Sequence, residues 1–187
     1  MAEKAERDMK RQLKRGLDYR GVLGWVLILF LLTPVMDAQA DPLKCSRVTD
    51  GDTIQVRDGR VQKTIRLVGI DAPEVSHKKR EPSQPFAQAA TKYLAGLVLN
   101  KTVEIKEHGQ DRYGRVLGVV LLDGKNVNLE MVKAGYAEVY RGAPAAGFDS
   151  APYWKAEEEA RTAKKGMWTQ GMKYVSPREW RKIIGAK

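Results

Sequence analysis

Residues 53–68 read TIQVRDGRVQKTIRLV, and this stretch decides the kind of fold that the chain can form. Polar and apolar side chains alternate over 53–57, and the strand pattern resumes over 61–68. Asp58-Gly59, between the two runs, is a hairpin-type turn sequence. An alternation with a period of two places one face of a strand against a core. The stretch therefore predicts two paired β-strands.

Three further strands are predicted around this hairpin. One lies at about 43–48, before the hairpin, and a second at 101–106, where polar and apolar residues alternate again. The third is the apolar run 116–122, which ends at Asp123-Gly124. Together with the hairpin, these segments predict five short strands.

Helical spacing appears in three segments between and after the strands. Apolar side chains over about 85–97 recur every three to four residues, and Pro85 suits the first turn of a helix. A second helix is predicted over about 127–134, stopped by Gly135. A third begins near Pro152 and ends at Gly166. The whole pattern predicts a small α+β domain, arranged as a five-stranded barrel with three helices.

The charge of the chain favours an anionic partner. Its 187 residues contain 33 Lys and Arg against 23 Asp and Glu, a formal charge of +10. Nucleic acid and anionic lipid are the partner classes that such a balance attracts. An apolar fraction of 43% excludes wholesale disorder. The only cysteine, Cys45, excludes an intrachain disulfide and a cysteine-rich zinc site.

Residues 1–40 are predicted to be a signal peptide. The uncharged run GVLGWVLILFLL at 21–32 is too short to span a membrane, and it is preceded by a basic region that contains Lys10, Arg11, Lys14, Arg15 and Arg20. Ala38-Gln39-Ala40 then offers the small side chains that a signal peptidase reads. We expect cleavage after Ala40 and export, to the periplasm or outside the cell. An uncleaved membrane anchor is the alternative.

The leader is longer than usual, which leaves the start of translation open between Met1 and Met9. The mature part, 41–187, keeps 26 basic and 18 acidic residues after the seven basic and five acidic residues of the leader are removed. Its formal charge is then +8. The basic character therefore belongs to the folded domain.

Two clusters of acidic residues lie beside the predicted hairpin. In VTDGDT, Asp50 and Asp52 point the same way from an extended segment, although an ordinary polar turn would look alike. In IRLVGIDAPE, Arg66 is followed by Asp71 and Glu74. Asp52 and Asp71 could supply hard oxygen ligands for Ca²⁺ or Mg²⁺. The alternative is an ion pair that merely closes the barrel.

A third cluster, DRYGR, opens the last apolar strand. Arg112 and Arg115 surround Tyr113, an arrangement that suits a phosphate and a base or sugar, although a basic turn would look similar. Each cluster is ambiguous by itself. Together they supply hard oxygen ligands, a spare carboxylate and paired guanidinium groups, which are the parts needed to attack a phosphodiester.

The three clusters, in this order and followed by NVNLEMVKAGYA and a late AKKGMW stretch, resemble the staphylococcal nuclease (thermonuclease) family. The resemblance covers about 43–168, within a nuclease domain at 41–187. It implies an OB-fold barrel with three helices. It also implies a Ca²⁺-dependent endonuclease that cleaves both DNA and RNA without regard to the sugar.

The resemblance also implies roles for individual residues. Arg66 and Arg115 match two phosphate-clamping arginines, and Glu74 matches the residue that orients or deprotonates the attacking water. The residues that match metal ligands are Asp52, Asp71 and Ala72, the last through its backbone carbonyl although the family has threonine there. Asp50 matches a supporting acid beside the metal.

Substrate contacts are less completely matched. Tyr113 matches a tyrosine near the bound nucleotide, and we place Arg112 beside it as a substrate-binding residue. Beyond Ala137 the family has two tyrosines near the base, whereas this chain reads EVYRG, so that Tyr140 is an approximate match. The base-binding wall is therefore the part of the site that departs from the family.

Two other functions compete with a nuclease. A non-catalytic nucleic-acid-binding module on the same barrel would keep basic and aromatic residues. It would have no reason to retain together the five residues Asp52, Arg66, Asp71, Glu74 and Arg115. A membrane-surface protein is disfavoured because the basic residues after the leader form no sustained amphipathic helix. We therefore expect a monomeric nuclease whose partners are DNA and RNA substrates, with membrane contact only through the leader.

Overall fold

The computed structural model describes residues 43–59, 61–76, 78 and 81–185. The predicted leader at 1–40 lies outside the described residues. Among the helices of the described part, none is long and apolar enough to cross a membrane.

Eight strands are described. They are β1 (Leu43–Asp50), β2 (Thr53–Asp58), β3 (Val61–Leu67), β4 (Ile70–Asp71), β5 (Thr102–Gln110), β6 (Val116–Leu122), β7 (Lys125–Asn126) and β8 (Glu138–Val139). The five longest correspond to the five predicted strands. β4, β7 and β8, of two residues each, were not predicted.

The long strands form a closed barrel. β3, β2, β1, β5 and β6 follow one another in the sheet, and β3 also pairs with β6. This last pairing is parallel, with Ile65 opposite Val116 and Arg66 opposite Leu117, and it closes the ring. The predicted five-stranded OB-fold barrel is confirmed.

The helices lie at α1 (Ala87–Val98), α2 (Val127–Lys133), α3 (Ala151–Thr162) and α4 (Pro177–Gly185), with a 3-10 helix at Gly166–Lys173. The first three confirm the predicted helices. α3 stops at Thr162, short of the predicted end, because Lys164 and Gly166 both adopt a φ of 50°. α4 and the 3-10 helix were not predicted.

The core lies inside the barrel and beneath α1. Ile54, Val56, Ile65 and Leu67 of the hairpin are fully buried. The buried stripe of α1, which includes Leu94 and Val98, packs against the same cluster. The apolar period in the sequence therefore identified the face of each element that forms the core.

One polar side chain ties α2 to the barrel. Asn128 is completely buried, and its Oδ1 accepts a hydrogen bond from the Val120 N–H at 3.0 Å. Its Nδ2 donates to the carbonyl oxygens of Val68 and Gly118, both at 3.0 Å. A single amide therefore binds three main-chain groups, of which the Gly118 carbonyl also accepts the Val68 N–H at 2.9 Å.

A second, two-stranded sheet brings distant parts of the chain together. β4 pairs with β8, with Ile70 opposite Val139 and Asp71 opposite Glu138. Asp71 thus lies at the end of a strand whose neighbour is the segment after Ala137. This pairing places the second acidic cluster beside Tyr140.

Candidate active site

The three polar clusters predicted from the sequence open into one cavity of about 890 Å³. Its lining includes nine of the ten predicted site residues: Asp50, Asp52, Arg66, Ala72, Glu74, Arg112, Tyr113, Arg115 and Tyr140. Asp71, the tenth, reaches the cavity through its contacts with Arg66. The structure therefore brings the predicted residues together, while their individual roles stay predictions.

Arg66 lies between two acidic side chains. Its Nη2 donates to Oδ1 of Asp71 at 3.0 Å, and its Nη1 contacts Oδ2 of Asp52. Burial lowers the pKa of Arg66, and the charges of Asp71 and Asp50 oppose that effect. Because an arginine stays protonated in proteins, a fixed positive charge is held between carboxylates at the cavity wall.

The hairpin positions these groups by strand pairing. Thr53 lies opposite Arg66 across β2 and β3, so that Asp52 comes next to the arginine. Oδ2 of Asp52 also accepts the Ala72 N–H at 2.9 Å, and Oδ1 of Asp50 accepts the Asp52 N–H at 3.1 Å. These hydrogen bonds fix the first acidic cluster against the second.

Gly51 permits this close approach. A Cβ at position 51 would lie 2.7 Å from the Cβ of Ala72 and 2.8 Å from the Cβ of Ala90. Such distances are too short for carbon atoms in contact. A glycine is therefore needed where VTDGDT packs onto IDAPE.

The loop that carries Glu74 is held by Gln84, a buried residue that the sequence analysis did not single out. The Glu74 N–H donates to Oε1 of Gln84 at 3.0 Å, and the Gln84 N–H returns a bond to the Glu74 carbonyl at 2.9 Å. Nε2 of Gln84 donates to the Val175 carbonyl at 2.7 Å. One side chain thus joins the Glu74 loop to the segment that precedes α4.

Asp111 holds Arg115 in place. Its Oδ2 accepts from Nε of Arg115 at 2.7 Å, and its Oδ1 accepts from the N–H groups of Tyr113 at 2.9 Å and Arg115 at 3.0 Å. Burial by itself would raise the pKa of Asp111, but these hydrogen bonds outweigh it and keep the pKa below its usual value. Asp111 was part of the predicted DRYGR cluster, but this positioning role was not predicted.

Three exposed aromatic side chains border the cavity. Tyr113 is 69% exposed, and Tyr140 and Trp154 are each 44% exposed. The guanidinium of Arg112 lies 4.8 Å from the centre of the Tyr113 ring, and that of Arg141 lies 4.3 Å from the centre of the Trp154 ring. Trp154, on the first turn of α3, was missed because its spacing there is that of an ordinary helix residue.

The donors around Arg66 are of the type that suits a hard divalent cation. Asp52 and Asp71 offer carboxylate oxygens, and the main chain at Ala72 lies directly beside Asp52. Within the described ranges, no group of three or more acidic, histidine or cysteine side chains is close enough to hold a metal by itself. A cation here would therefore need main-chain or water oxygens in addition to the two carboxylates.

Arg181 of α4, which the sequence analysis did not single out, contacts Asp71 and Glu74 with its guanidinium group. Its Nη2 donates to Oδ2 of Asp71 at 2.7 Å, its Nη1 donates to Oδ1 of Asp71 at 3.1 Å, and Nη1 also contacts Oε1 of Glu74. The signal that could have revealed this helix is Ser176-Pro-Arg-Glu179, a capping box with proline at the first helical position. The structure shows the reciprocal hydrogen bonds of that motif between Ser176 and Glu179.

A closed OB-fold barrel with acids, guanidinium groups and exposed aromatics around one cavity is typical of the class of proteins that bind nucleic-acid chains. Sequence comparison identifies the family within this class. The family described as "Staphylococcal nuclease homologue" matches residues 64–170, more than half of the chain. The chain belongs to the staphylococcal nuclease family.

Relatives agree with this assignment. An "uncharacterized endonuclease" of Escherichia coli is 41% identical over 158 residues, which cover 83% of this chain and 94% of the relative. One from Haemophilus influenzae is 33% identical over 84% of this chain and 82% of its own length. A "probable endonuclease LCL3" of Candida tropicalis is 39% identical over 64% of this chain and 53% of its own length. The predicted enzyme class, a nuclease among the hydrolases, is confirmed.

Proposed function

We propose that this nuclease is an exported, Ca²⁺-dependent endonuclease that hydrolyses the phosphodiester bonds of DNA and RNA. The observation that carries the proposal is the placement of Arg66 between Asp52 and Asp71, in a cavity that also receives Glu74 and Arg115. Guanidinium groups for the phosphate and carboxylates for a hard cation are thereby close together. This combination has no use in a module that only binds nucleic acid.

Asp52 and Asp71, with the Ala72 carbonyl, are the groups that would hold the calcium ion, and Asp50 would support them. When bound, Ca²⁺ would offset the negative charge of the phosphate and of the carboxylates around it. Because both ligating side chains are acidic, the affinity for the cation depends on their charge.

The chain's own residues then perform the reaction. Arg66 and Arg115 grip the phosphate oxygens, whose negative charge grows as water attacks, so that they stabilise the transition state more than the substrate. Glu74 orients the attacking water and accepts its proton; as the new P–O bond forms, the P–O bond to the leaving oxygen breaks, and that oxygen takes a proton from solvent. Removal of one guanidinium should slow the reaction roughly 10²-fold, the scale found for a preorganised anion-stabilising donor.

The same groups favour activity on both kinds of nucleic acid. A phosphate clamp does not read the sugar, and aromatic side chains such as Tyr113 and Tyr140 stack on any base. Discrimination of RNA from DNA requires contact with the 2′-hydroxyl. We assign none of the predicted site residues to such a contact.

Calcium dependence is tested by cleavage of DNA and RNA oligonucleotides by the purified protein, as the full chain and as residues 41–187, with Ca²⁺, Mg²⁺ or a chelator. We expect activity on both substrates with Ca²⁺ and none with chelator. Asp52→Asn and Asp71→Asn should each raise the Ca²⁺ concentration needed for half-maximal rate. Undiminished cleavage in chelator would exclude calcium dependence.

We expect the enzyme to be a monomer. The +8 charge of its mature part should attract the anionic nucleic-acid substrate. Substrate binding should therefore weaken steeply as the salt concentration rises. A flat response would mean that the basic residues do not face the nucleic acid.

Export rests on the leader sequence, and cleavage is expected after Ala40. Intact-mass measurement of the exported protein should give the mass of residues 41–187. A mass that still includes the apolar run at 21–32 would instead indicate a membrane-anchored enzyme.

A further inference from the structure

The helix α4 lies against the predicted metal ligand with few apolar contacts of its own. Of its nine residues only Pro177 is buried, and Trp180 and Ile184 are partly buried. Its side-chain attachment to the site is Arg181, which reaches back over 110 residues of sequence to Asp71. A helix held mainly by one side chain can be released when that side chain loses its partners.

Arg181 uses the oxygen atoms that a cation would need. Oδ1 of Asp71 accepts hydrogen bonds from Nη2 of Arg66 and from Nη1 of Arg181. Oδ2 accepts one from Nη2 of Arg181. Both carboxylate oxygens therefore already face positive groups. A divalent cation at Asp71 would also lie next to the charge of Arg181, which repels it.

The geometry points to Arg181 as an internal competitor for the divalent cation: its guanidinium occupies Asp71 and Glu74 when no cation is bound, and cation binding displaces it together with α4. The inference rests on the proposed calcium dependence and adds regulation to that site. Without the cation, both the ligand Asp71 and the base Glu74 are engaged by Arg181. Binding of the cation to Asp71 then removes Arg181 from both Asp71 and Glu74 in one step.

The segment that precedes α4 is held to the rest of the protein by a hydrogen bond. Gln84, which also holds the Glu74 loop, binds the Val175 carbonyl at 2.7 Å. The capping hydrogen bonds between Ser176 and Glu179 support the first turn of the helix. Displacement would move α4 about the segment near Val175, and the released helix would open more often, because a helix of nine residues is marginal without tertiary contacts.

Calorimetric titration of Ca²⁺ into the full protein without substrate tests the competition. Arg181→Ala should bind Ca²⁺ roughly tenfold more tightly, the scale of one charge-assisted hydrogen-bonded pair that is partly exposed. Arg181→Lys keeps the charge but loses the two-pronged contact, and should fall between Arg181→Ala and the unaltered protein. Arg178→Ala is the matched control, because it removes the same charge from the exposed side of the same helix and should leave the affinity within about twofold.

Hydrogen exchange of the amides in 178–185 provides a second readout. Saturating Ca²⁺ should accelerate exchange there in the unaltered protein and in Arg178→Ala. In Arg181→Ala exchange should be fast with or without Ca²⁺. Unchanged exchange in the unaltered protein on saturation would overturn the displacement of α4.

The outcomes separate this inference from the proposed function. Equal or weaker Ca²⁺ binding by Arg181→Ala overturns the competition alone and makes Arg181 a residue that positions Asp71. If no variant binds Ca²⁺ and the unaltered protein cleaves DNA in chelator, calcium dependence fails, and the competition fails with it.

Discussion

Asp111 holds both the main chain and the side chain of Arg115: one carboxylate oxygen accepts the Arg115 N–H at 3.0 Å and the other accepts Nε at 2.7 Å. Asp111 and Arg115 are four residues apart, so these hydrogen bonds join the two ends of one turn. Because the guanidinium is aimed by a charge on its own turn, it is oriented before substrate arrives. Donors that are already oriented need little reorganisation when the reaction takes place, which is why they contribute strongly to catalysis.

Asp111→Asn should therefore reduce turnover. Asparagine keeps the oxygen that accepts the two N–H groups but replaces the charged partner of Nε, so that Arg115 loses its fixed direction. We expect kcat to fall roughly tenfold in single-turnover cleavage. Asp123→Asn, at another turn aspartate outside the cavity, should leave the rate unchanged. Equal rates for the two variants would show that Asp111 does not position the clamp.

The pH dependence of stability should also change at Asp111. Since the hydrogen bonds keep the pKa of Asp111 below its usual value of 3.8 in the folded protein, its stabilising contribution is complete above that pH and is lost as the pH falls through the folded-state pKa. The difference in unfolding free energy between the unaltered protein and Asp111→Asn should be largest at pH 7. It should shrink when denaturant unfolding is repeated near pH 3, and a constant difference would contradict the assignment.

Glu74→Gln and Arg115→Lys test the base and the clamp. Glutamine keeps the shape of Glu74 but cannot accept the proton, so turnover should drop strongly while nucleotide binding in Ca²⁺ persists. Lysine keeps the charge of Arg115 but loses its fork, and its cost should appear mainly in kcat. Single-turnover cleavage across a Ca²⁺ titration measures both. Near-normal rates in the two variants would refute the active-site assignment.

Trp154→Ala should weaken the binding of single-stranded oligonucleotides. Stacking of a base on an aromatic side chain contributes about 1–3 kcal/mol, so Kd should rise roughly tenfold while kcat changes little. Trp154→Phe should recover part of the loss. Met172→Ala removes an exposed apolar side chain that does not line the cavity and serves as the control. Fluorescence anisotropy measures each Kd, and unaltered binding by Trp154→Ala would remove this residue from the substrate path.

Asn128→Ala should destabilise the fold more than a change at a helix cap. It removes the side-chain partner of the Val120 N–H and of the Val68 carbonyl, and one of two donors to the Gly118 carbonyl, at a cost of about 3 kcal/mol in unfolding free energy. Asn126→Ala removes the cap that accepts the Leu129 N–H at 3.0 Å, together with a hydrogen bond to the Tyr153 hydroxyl at 2.9 Å, and should cost about 1–2 kcal/mol. Denaturant unfolding compares the two. A loss at position 128 no larger than that at 126 would mean that α2 is held by apolar packing alone.

The barrel could be predicted because its strands repeat with a period of two and end at glycine turns. Val116–Leu122 coincides with its predicted range. The first helix begins at Ala87 instead of Pro85, because Phe86 adopts a φ of 70° that a helix cannot contain. Local pattern identifies an element, but the backbone angle at its end depends on packing.

The site shows a similar division. Asp52, Arg66 and Asp71 are close in sequence, and a hairpin with a short extension brings them together. Arg181 is distant, and no local pattern specifies that α4 folds back onto Asp71. Asn128 was overlooked for a different reason, since a polar residue in an amphipathic helix is usually exposed, and its burial depends on the carbonyl groups that surround it.

Closure of the barrel by the pairing of β3 with β6 also bears on how the protein is made. The connection between them, residues 68–115, includes α1 and β5, so bringing β6 against β3 costs more chain entropy than closing the hairpin of β2 and β3. β6 directly follows Arg115, so the step that completes the barrel is also the step that delivers the second guanidinium. A nascent chain that ends before Arg115 and β6 contains Asp52, Arg66 and Asp71 but lacks the second guanidinium of the cavity. Arg66 and Arg115 therefore come to one cavity only after synthesis has passed β6 and the ring has closed.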